Sequence, residues 1–271
     1  MSYKIGSFNI ESKQHSAGEI GRDLFGVIYD VIRDEDLDIF ALQEVLKQSE
    51  FDSIKRNLPL GWTGCFANSG KGVHSRYGFA FFWNEYRFKE CSRDKLPQIL
   101  DYYKSETHLN REPFFGRFVP IGIGAFREYR LINIHLTSGD SQQKKIECET
   151  VFGKIYNEAD THRFGNNKPA VTVVLGDFNY CMSDCHSIAA GVSESKGYPY
   201  VTTILNNMTH INDSQKGYNS SLDHFSYDET KYSDNIVDFF CIDAVAKYFG
   251  GNFENYKEKI SDHIPIVIEL I

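Results

Sequence analysis

Short apolar runs that break on chemically competent residues recur from one end of this chain to the other. Tyr3 to Ile10 carries Ser7-Phe8-Asn9-Ile10 at its end, and Asp38 to Leu42 gives way to Gln43-Glu44-Val45. Tyr129 to Leu136 contains Asn133-Ile134-His135, and Ala170 to Leu175 breaks at Gly176 into Asp177-Phe178-Asn179. Ser261-Asp262-His263 opens the run Ile264 to Leu270. Runs of this length and composition read as strands. Each puts an Asn, Asp, Glu or His at the lip of a sheet, where a turn can aim it into a shared cleft. Taken singly these residues have plainer readings: an Asn or Asp after a strand is usually a turn residue, and a single interior histidine is usually hydrogen-bonded core. Glu44 stands out, because an apolar surrounding makes an unpaired carboxylate costly. So does the Asp177–Asn179 pair, whose i, i+2 spacing puts both side chains on one side of the chain behind a glycine that permits a sharp turn.

Helical periods lie between some of the strands. Ile20, Leu24, Val27, Ile28, Val31 and Ile32 fit one helix. Ser49 is expected to cap a second that buries Phe51, Ile54 and Leu58, and Gln142 to Ala159 predicts a third with Ile146, Phe152, Ile155 and Tyr156 inward. Tyr77–Trp83 and Phe118–Phe126 predict further strands, in an antiparallel arrangement, and Phe239–Val245 one near the end. Asn206 to Asp234 reads as polar and turn-rich. No Pro/Gly/Ser-rich linker divides the chain, so residues 1–271 are expected to form one α/β (α+β) domain: a two-sheet β-sandwich flanked by helices on both outer faces.

Composition narrows the class. Lys and Arg number 29 against 37 Asp and Glu, a net charge of −8. A polyanionic substrate would therefore need a local basic patch or a bound cation. The first ten residues lack the charged start and long apolar stretch of a signal peptide. No run approaches the roughly 20 apolar residues that span a bilayer. The chain is expected to be soluble, cytoplasmic as it stands or else the mature form of an exported protein, and monomeric. The six cysteines are irregularly spaced, which predicts reduced, structural thiols ahead of a disulfide framework; zinc is the lesser alternative.

The residues at the lips form a coherent chemical set. Glu44, Asp177 and Asp262 with Asn9 and Asn179 are hard oxygen ligands suited to magnesium rather than zinc. His135 and His263 can shuttle protons or donate to phosphate. Phosphodiester hydrolysis needs this inventory: a cation against phosphate charge, a base for water and an acid for the leaving oxygen.

The ordered set Phe8-Asn9-Ile10, Leu42-Gln43-Glu44-Val45, Asn133-Ile134-His135, Gly176-Asp177-Phe178-Asn179 and Ser261-Asp262-His263 resembles the endonuclease/exonuclease/phosphatase superfamily, over nearly the whole chain from Lys4. Within it the chain looks most like the deoxyribonuclease I group. Asp101-Tyr102-Tyr103 leading to Asn110-Arg111-Glu112-Pro113 is similar to that group, as is His135 followed by Gly139-Asp140. The resemblance implies a deoxyribonuclease I-like sandwich with its site at one end of the sheets. It implies that Glu44 holds the main metal ion with Asn9 and Asp262 nearby, and that Asp177 orients or deprotonates water. Asn179 would bind a phosphate oxygen or a metal-bound water, His263 would contact the scissile phosphate, and His135 would protonate the leaving oxygen. Arg111 would grip a phosphate. Asp238 looks like the carboxylate that orients His263, with Asp234 as its rival. Lys71 and Arg76, on the glycine-rich segment Asn68–Tyr77, would enter a DNA minor groove; a solvated hairpin is the plainer reading of that segment. Three departures bear on duplex DNA: Leu46 replaces an arginine, Ser75 a glutamate that partners the middle histidine, and a disulfide near the Asp177 loop has no evident second cysteine.

The sequence therefore predicts a phosphodiester hydrolase dependent on Mg2+ (or Mn2+), with DNA as substrate and little sequence specificity. The alternative is the same chemistry on a lipid headgroup, an inositol phosphate or another small phosphoester. A non-enzymatic binding module of this fold ranks third.

Overall fold

Two crossovers organise the molecule. The computed structural model describes residues 2–11, 22–69, 77–91, 109–123, 125–164, 168–212, 214 and 216–271. Strand β1 (Tyr3–Asn9) pairs in parallel with β2 (Ile39–Val45), with helix α1 (Arg22–Asp34) between them in sequence. Further on, β7 (Glu128–His135) pairs in parallel with β8 (Ala170–Asp177). The helix between them, α3, runs over Ser141–Thr150, a π-helical turn at Val151–Ile155 and Tyr156–Thr161. Parallel neighbours require such a connection, and each crossover helix covers the outer face of its own sheet.

The remaining elements complete two six-stranded sheets. After β2 come α2 (Gln48–Arg56), β3 (Trp62–Ser69), β4 (Tyr77–Asn84), β5 (Phe88–Glu90) and β6 (Phe114–Pro120). After β8 come α4 (Met182–Lys196), β9 (Thr202–Ile204), β10 (His210–Ile211), β11 (Tyr218–Ser220) and β12 (Asp223–Tyr227). Helix α5 (Glu229–Tyr232), β13 (Ile236–Cys241), α6 (Ala244–Phe249), α7 (Phe253–Lys259) and β14 (Ile266–Leu270) follow. One sheet has the order β13-β14-β1-β2-β4-β3, the other β5-β6-β7-β8-β12-β9, and β10 and β11 form a separate ribbon.

Side-chain alternation sorts each strand into two rows. Ile5, Ile39, Phe81, Leu131, Val173, Phe225 and Ile268 meet between the sheets in one core. Phe8, Phe40 and Leu42 face outward and pack under Val27, Ile28 and Val31 of α1. Ile132, Ile134 and Val174 do the same on the other sheet, under Phe152 and Ile155 of α3 and Cys185 and Ala189 of α4. The architecture is the expected sandwich with helices on both outer faces, and all six cysteines are free thiols. No helix among the described residues is long and apolar enough to cross a membrane.

Several local expectations are corrected. Ser49 is not a cap: α2 starts after Lys47, and Glu50 instead reaches back to accept from the Leu46 amide at 2.6 Å. The run Phe118–Phe126 is cut at Pro120, where an imino nitrogen cannot extend the ladder, and the chain turns with Ile121, Ile123 and Phe126 exposed. Phe239–Val245 is divided, because Asp243 caps α6 by accepting from the Ala246 amide. The turn-rich segment Asn206–Asp234 contains β12, a buried strand within the second sheet. The periodic run around α1 begins at Ile20, which lies outside the described residues.

Candidate active site

The rows that face between the sheets are apolar along most of their length and turn polar at one end. Tyr3 and Ile5 lead to Ser7 and Asn9; Ile39 and Ala41 lead to Gln43; Leu131 leads to Asn133 and His135; Leu175 leads to Asp177. Hydrogen bonds make this transition tolerable inside the sandwich. Gln43 Nε2 donates to Ser7 Oγ at 3.0 Å and to Asn133 Oδ1 at 2.7 Å, and Asn133 Nδ2 donates to the Leu42 carbonyl at 3.1 Å. This buried amide layer underlies the lip residues and ties the two sheets together beneath them.

Two backbone features aim the key carboxylates. By alternation Glu44 would follow Phe40 and Leu42 to the helix-covered face. A register irregularity between Gln43 and Val45 and a left-handed backbone (φ 61°) at Glu44 turn it toward the lip instead. A bulge is a standard device for re-aiming a side chain, and a non-glycine residue in that region carries strain that the surrounding structure must hold. At Gly176 (φ 131°) a side chain would run into the Ile134 carbonyl, so β7 and β8 approach as closely as they do only with glycine there. Their shared register pairs His135 with Asp177. Asn179 also adopts a left-handed backbone (φ 53°). Its amide donates to Asp177 Oδ1 at 2.8 Å and its side chain to the Leu136 carbonyl at 2.8 Å.

The expected residues converge on Asp177. Asn9 Nδ2 donates to Asp177 Oδ2 at 3.0 Å and lies 3.5 Å from Glu44 Oε1, while Asn9 Oδ1 accepts from the Glu11 amide at 3.0 Å. His135 sits between Glu44 (Nδ1 to Oε1, 3.6 Å) and Asp177 (Nε2 to Oδ2, 3.5 Å). His263 Nε2 is 3.7 Å from Asp177 Oδ2 and 3.6 Å from Asp262 Oδ1. Arg111 donates to the carbonyls of His135 and Leu136 at 3.3 and 3.1 Å, bracing the turn that follows β7. Lys71 and Arg76 lie outside the described residues, as does Ser75.

The carboxylate on His263 is Asp223, not Asp238 or Asp234. Asp223 Oδ2 is 2.7 Å from His263 Nδ1 and also accepts from Thr209 Oγ1 at 2.6 Å. Asp238 is exposed on the edge strand β13, and its carboxylate accepts from the Phe239 amide next to it. Asp234 is exposed in the turn before that strand. The family resemblance points to Asp238, whereas Asp223 begins β12, where it pairs with Asp177 across the sheet. The available signal was the Asp223-His224 step ahead of alternating Phe225 and Tyr227, which repeats the Asp262-His263 step. His210 was also missed: its Nε2 lies 3.4 Å from Asp262 Oδ2, and its ring packs edge-on to that of His263 with centroids 5.0 Å apart.

Electrostatics separates the acids. Burial, aided by the charge of Asp177, pushes Glu44 up to about 7. Burial, opposed by His263 and reinforced by Asp223, pushes Asp177 up to about 6. At Asp262 burial acts in the same direction, but the His210 hydrogen bond and the His263 charge outweigh it and hold the group well below its ordinary value. Burial disfavours the His263 cation, yet Asp223 and Asp177 lift it well above the usual histidine value. Asp177 is thus a buried and Glu44 a half-buried carboxylate, and among the described residues their ion-pair contacts are with histidines. Hard oxygen donors short of counter-charge fit a divalent cation of the magnesium type. His210, Asp262 and His263 also bring possible ligand atoms within 4.8 Å of one another. That mixed nitrogen–oxygen group is knit by the Asp223–His263 bond, the His210–Asp262 pair and the Glu11 bond to the Asp262 amide.

No protein-family model and no curated protein matches the sequence. Solved structures match along its full length. An endonuclease/exonuclease/phosphatase family protein from Bacteroides thetaiotaomicron is 16% identical, covering 100% of this chain and 97% of that one, with a TM-score of 0.64. A mannosyl-6-phosphatase from the same organism is 18% identical, covering 99% of each chain, with a TM-score of 0.63. D. rerio TDP2 complexed with single-strand DNA product is 14% identical, covering 100% of this chain and 99% of that one, with a TM-score of 0.63. At these identities the likeness speaks to architecture: this chain has the two-sheet fold of the endonuclease/exonuclease/phosphatase structures.

Proposed function

We propose that this protein hydrolyses phosphate esters with the help of a divalent cation, and that within this class it is a magnesium-dependent deoxyribonuclease with little sequence preference. One observation supports the chemistry above the others. Asp177 is held among Asn9, His135 and His263, with Glu44 facing the same histidine, and both carboxylates are raised toward neutrality by burial. Glu44 would hold the magnesium ion, with Asn9 and Asp262 beside it; manganese would substitute. When bound, the ion would offset charge on the phosphate and position its oxygens.

The chain's own groups would do the rest. Asp177 would orient the attacking water and take its proton as the new P–O bond forms. His263, favoured as imidazolium by Asp223, would donate to a phosphoryl oxygen. His135 would pass a proton to the leaving oxygen as the old P–O bond breaks. Asn179, fixed by its bond to Leu136, would bind a phosphate oxygen from the other side, and Arg111 would grip an adjacent phosphate. Lys71 and Arg76 would supply the contacts specific to duplex DNA.

A second reading keeps this chemistry on a small phosphoester. It is favoured by Leu46, whose amide is pinned by Glu50 at the position where an arginine would serve DNA, and by a sugar-phosphate phosphatase standing among the structural neighbours at the same TM-score as a DNA-bound one. A substrate panel separates the two: supercoiled plasmid, single-stranded DNA, RNA, sphingomyelin, an inositol phosphate and a sugar phosphate, each with magnesium and with excess chelator. Plasmid nicking that stops on chelation is the expected result. Turnover of the small esters alone selects the second reading, and full activity in chelator overturns both.

A further inference from the structure

The strands that present His135 and Asp177 at one end bury charge at the other end too. Arg117 of β6 and Arg130 of β7 stand directly opposite each other in the sheet register, 4% and 5% exposed. Like charges so placed repel. They share one carboxylate: Glu128 accepts from Arg117 at 2.9 and 2.6 Å and from Arg130 Nε at 2.8 Å. Arg130 Nη1 also holds the carbonyls of Ala159 and Asp160 at the end of α3, at 2.7 and 2.8 Å. The Phe164 ring lies against both guanidinium groups, 3.8 Å from Arg117 and 4.9 Å from Arg130, which fixes their planes.

A cavity of about 410 Å³ opens on this pair, and Arg163 and Lys168 join its lining. The carboxylates on its wall are Glu128, saturated by the two arginines, and Asp160, which Lys231 binds at 2.6 Å and Tyr232 also engages. Four permanent cations thus face two carboxylates that already have partners, in a chain whose net charge is −8. The volume lies in the usual range for small-ligand sites.

We propose that this cavity is a second ligand site, selective for a phosphate monoester dianion, roughly 23 Å from the catalytic lip along the eight-residue strand β7 from Glu128 to His135. Arg117 Nη1 and Arg130 Nη2, the guanidinium nitrogens not engaged by Glu128 or the α3 carbonyls, can donate to phosphate oxygens together with Arg163 and Lys168, and a dianion balances the excess positive charge, which a monocarboxylate does not. The site is independent of the hydrolytic reading. The phosphate could be carried by a soluble molecule or by a lipid headgroup. The second source is raised by the turn beside the cavity, which exposes Ile121, Ile123 and Phe126 and is tied to the cavity by the Lys168 bond to the Ala125 carbonyl.

The test is calorimetric titration of the full chain with inorganic phosphate and with glycerol phosphate, in chelator and at constant ionic strength. Wild type should bind at a single site. The double change Arg163→Ala and Lys168→Ala should weaken binding roughly tenfold or more, as expected for lost charge-assisted bonds, and should leave hydrolytic turnover unchanged. Glu44→Gln should bind as wild type does. Absence of binding, equal affinity in the double variant, or loss of the site in Glu44→Gln would overturn the proposal. Lys168→Gln, which keeps most of the side-chain stem, repeats the test should the double variant misfold. Phosphatidylcholine vesicles with and without phosphatidic acid then identify the source. Retention by phosphatidic acid that is lost in Ile123→Ser with Phe126→Ser assigns the site to a lipid, and phosphate binding without retention assigns it to a soluble ester.

Discussion

The two ends of the β7–β8 pair bury charge in opposite ways. At the start of the strands, Glu128 sits between two guanidinium groups, and their hydrogen bonds outweigh burial and lower its pKa. At the finish, Glu44 and Asp177 have histidines for neighbours and are pushed up to about 7 and about 6. The same sandwich supplies both environments, so burial alone does not decide the outcome; the partner does. A carboxylate saturated by arginine is a structural tie, and removing it strands the cations. A carboxylate left short of positive charge is strained until a cation or proton arrives, which is the condition of a working site.

The largest expected effect tests the working end. Asp177→Asn and His263→Ala should each lower the turnover of the folded fraction by about 10²–10⁴-fold. A substrate-saturated rate within a few-fold of wild type for either would remove that residue from the mechanism.

The next effect tests the structural end. Glu128→Ala leaves Arg117 and Arg130 facing each other without a shared carboxylate, and should cost about 3–5 kcal/mol of stability, read by urea denaturation. Turnover of the folded fraction at low temperature should be preserved. A loss of turnover without a loss of stability would show that the two ends are coupled.

A smaller effect distinguishes the acids around His263. Asp223→Asn should lower turnover by roughly tenfold to a hundredfold by weakening the imidazolium and freeing its ring, with the pH–rate profile shifted because His263 loses its proton more readily. Asp238→Asn, on an exposed strand edge, should leave both rate and profile unchanged. The reverse result would return the orienting role to Asp238.

The smallest effect concerns stability against pH. Glu44 and Asp177 hold protons more tightly folded than unfolded, so the folded state is favoured at low pH. In chelator that contribution should be lost as pH climbs from about 4 through 7. Glu44→Gln removes part of this slope and should be more stable than wild type at pH 8 without metal, on the order of 1–3 kcal/mol. Magnesium should stabilise wild type and leave the variant unmoved. A flat wild-type profile in chelator would mean that these carboxylates are not short of counter-charge.

The sequence disclosed the strands whose two sides differ most from their ends. β1, β2, β7, β8 and β14 are apolar except at the lip, so hydropathy marks both the strand and the site residue at its lip end. β12 was hidden because its polar residues are buried by pairing rather than exposed. Ser226 bonds Thr203 across to β9 at 2.8 Å, and both nitrogens of His224 contact backbone carbonyls, of Leu205 and Tyr180, at 2.8 Å. No periodicity reports such partners, which lie elsewhere in the chain. The resemblance points to Asp238, whose strand lies at the sheet edge with that residue exposed. The re-aiming of Glu44 was likewise illegible, since it depends on a backbone irregularity opposite Gly78 and not on residue type.

The pairing of β1 with β14 has a consequence for how the protein comes into being. Ser261 Oγ donates to the Asn9 carbonyl across 252 positions of sequence, and Tyr3 lies opposite Leu270. Contacts between such distant segments form late, after the loop-closure entropy of the intervening chain has been met. During synthesis, therefore, the lip around Asp177 lacks His263 and its bracing until β14 has left the ribosome and docked beside β1. An emerging chain that has not yet released β14 carries most of the sandwich and lacks the His263 side of the lip, so under the proposed function hydrolysis would begin only after that strand has docked.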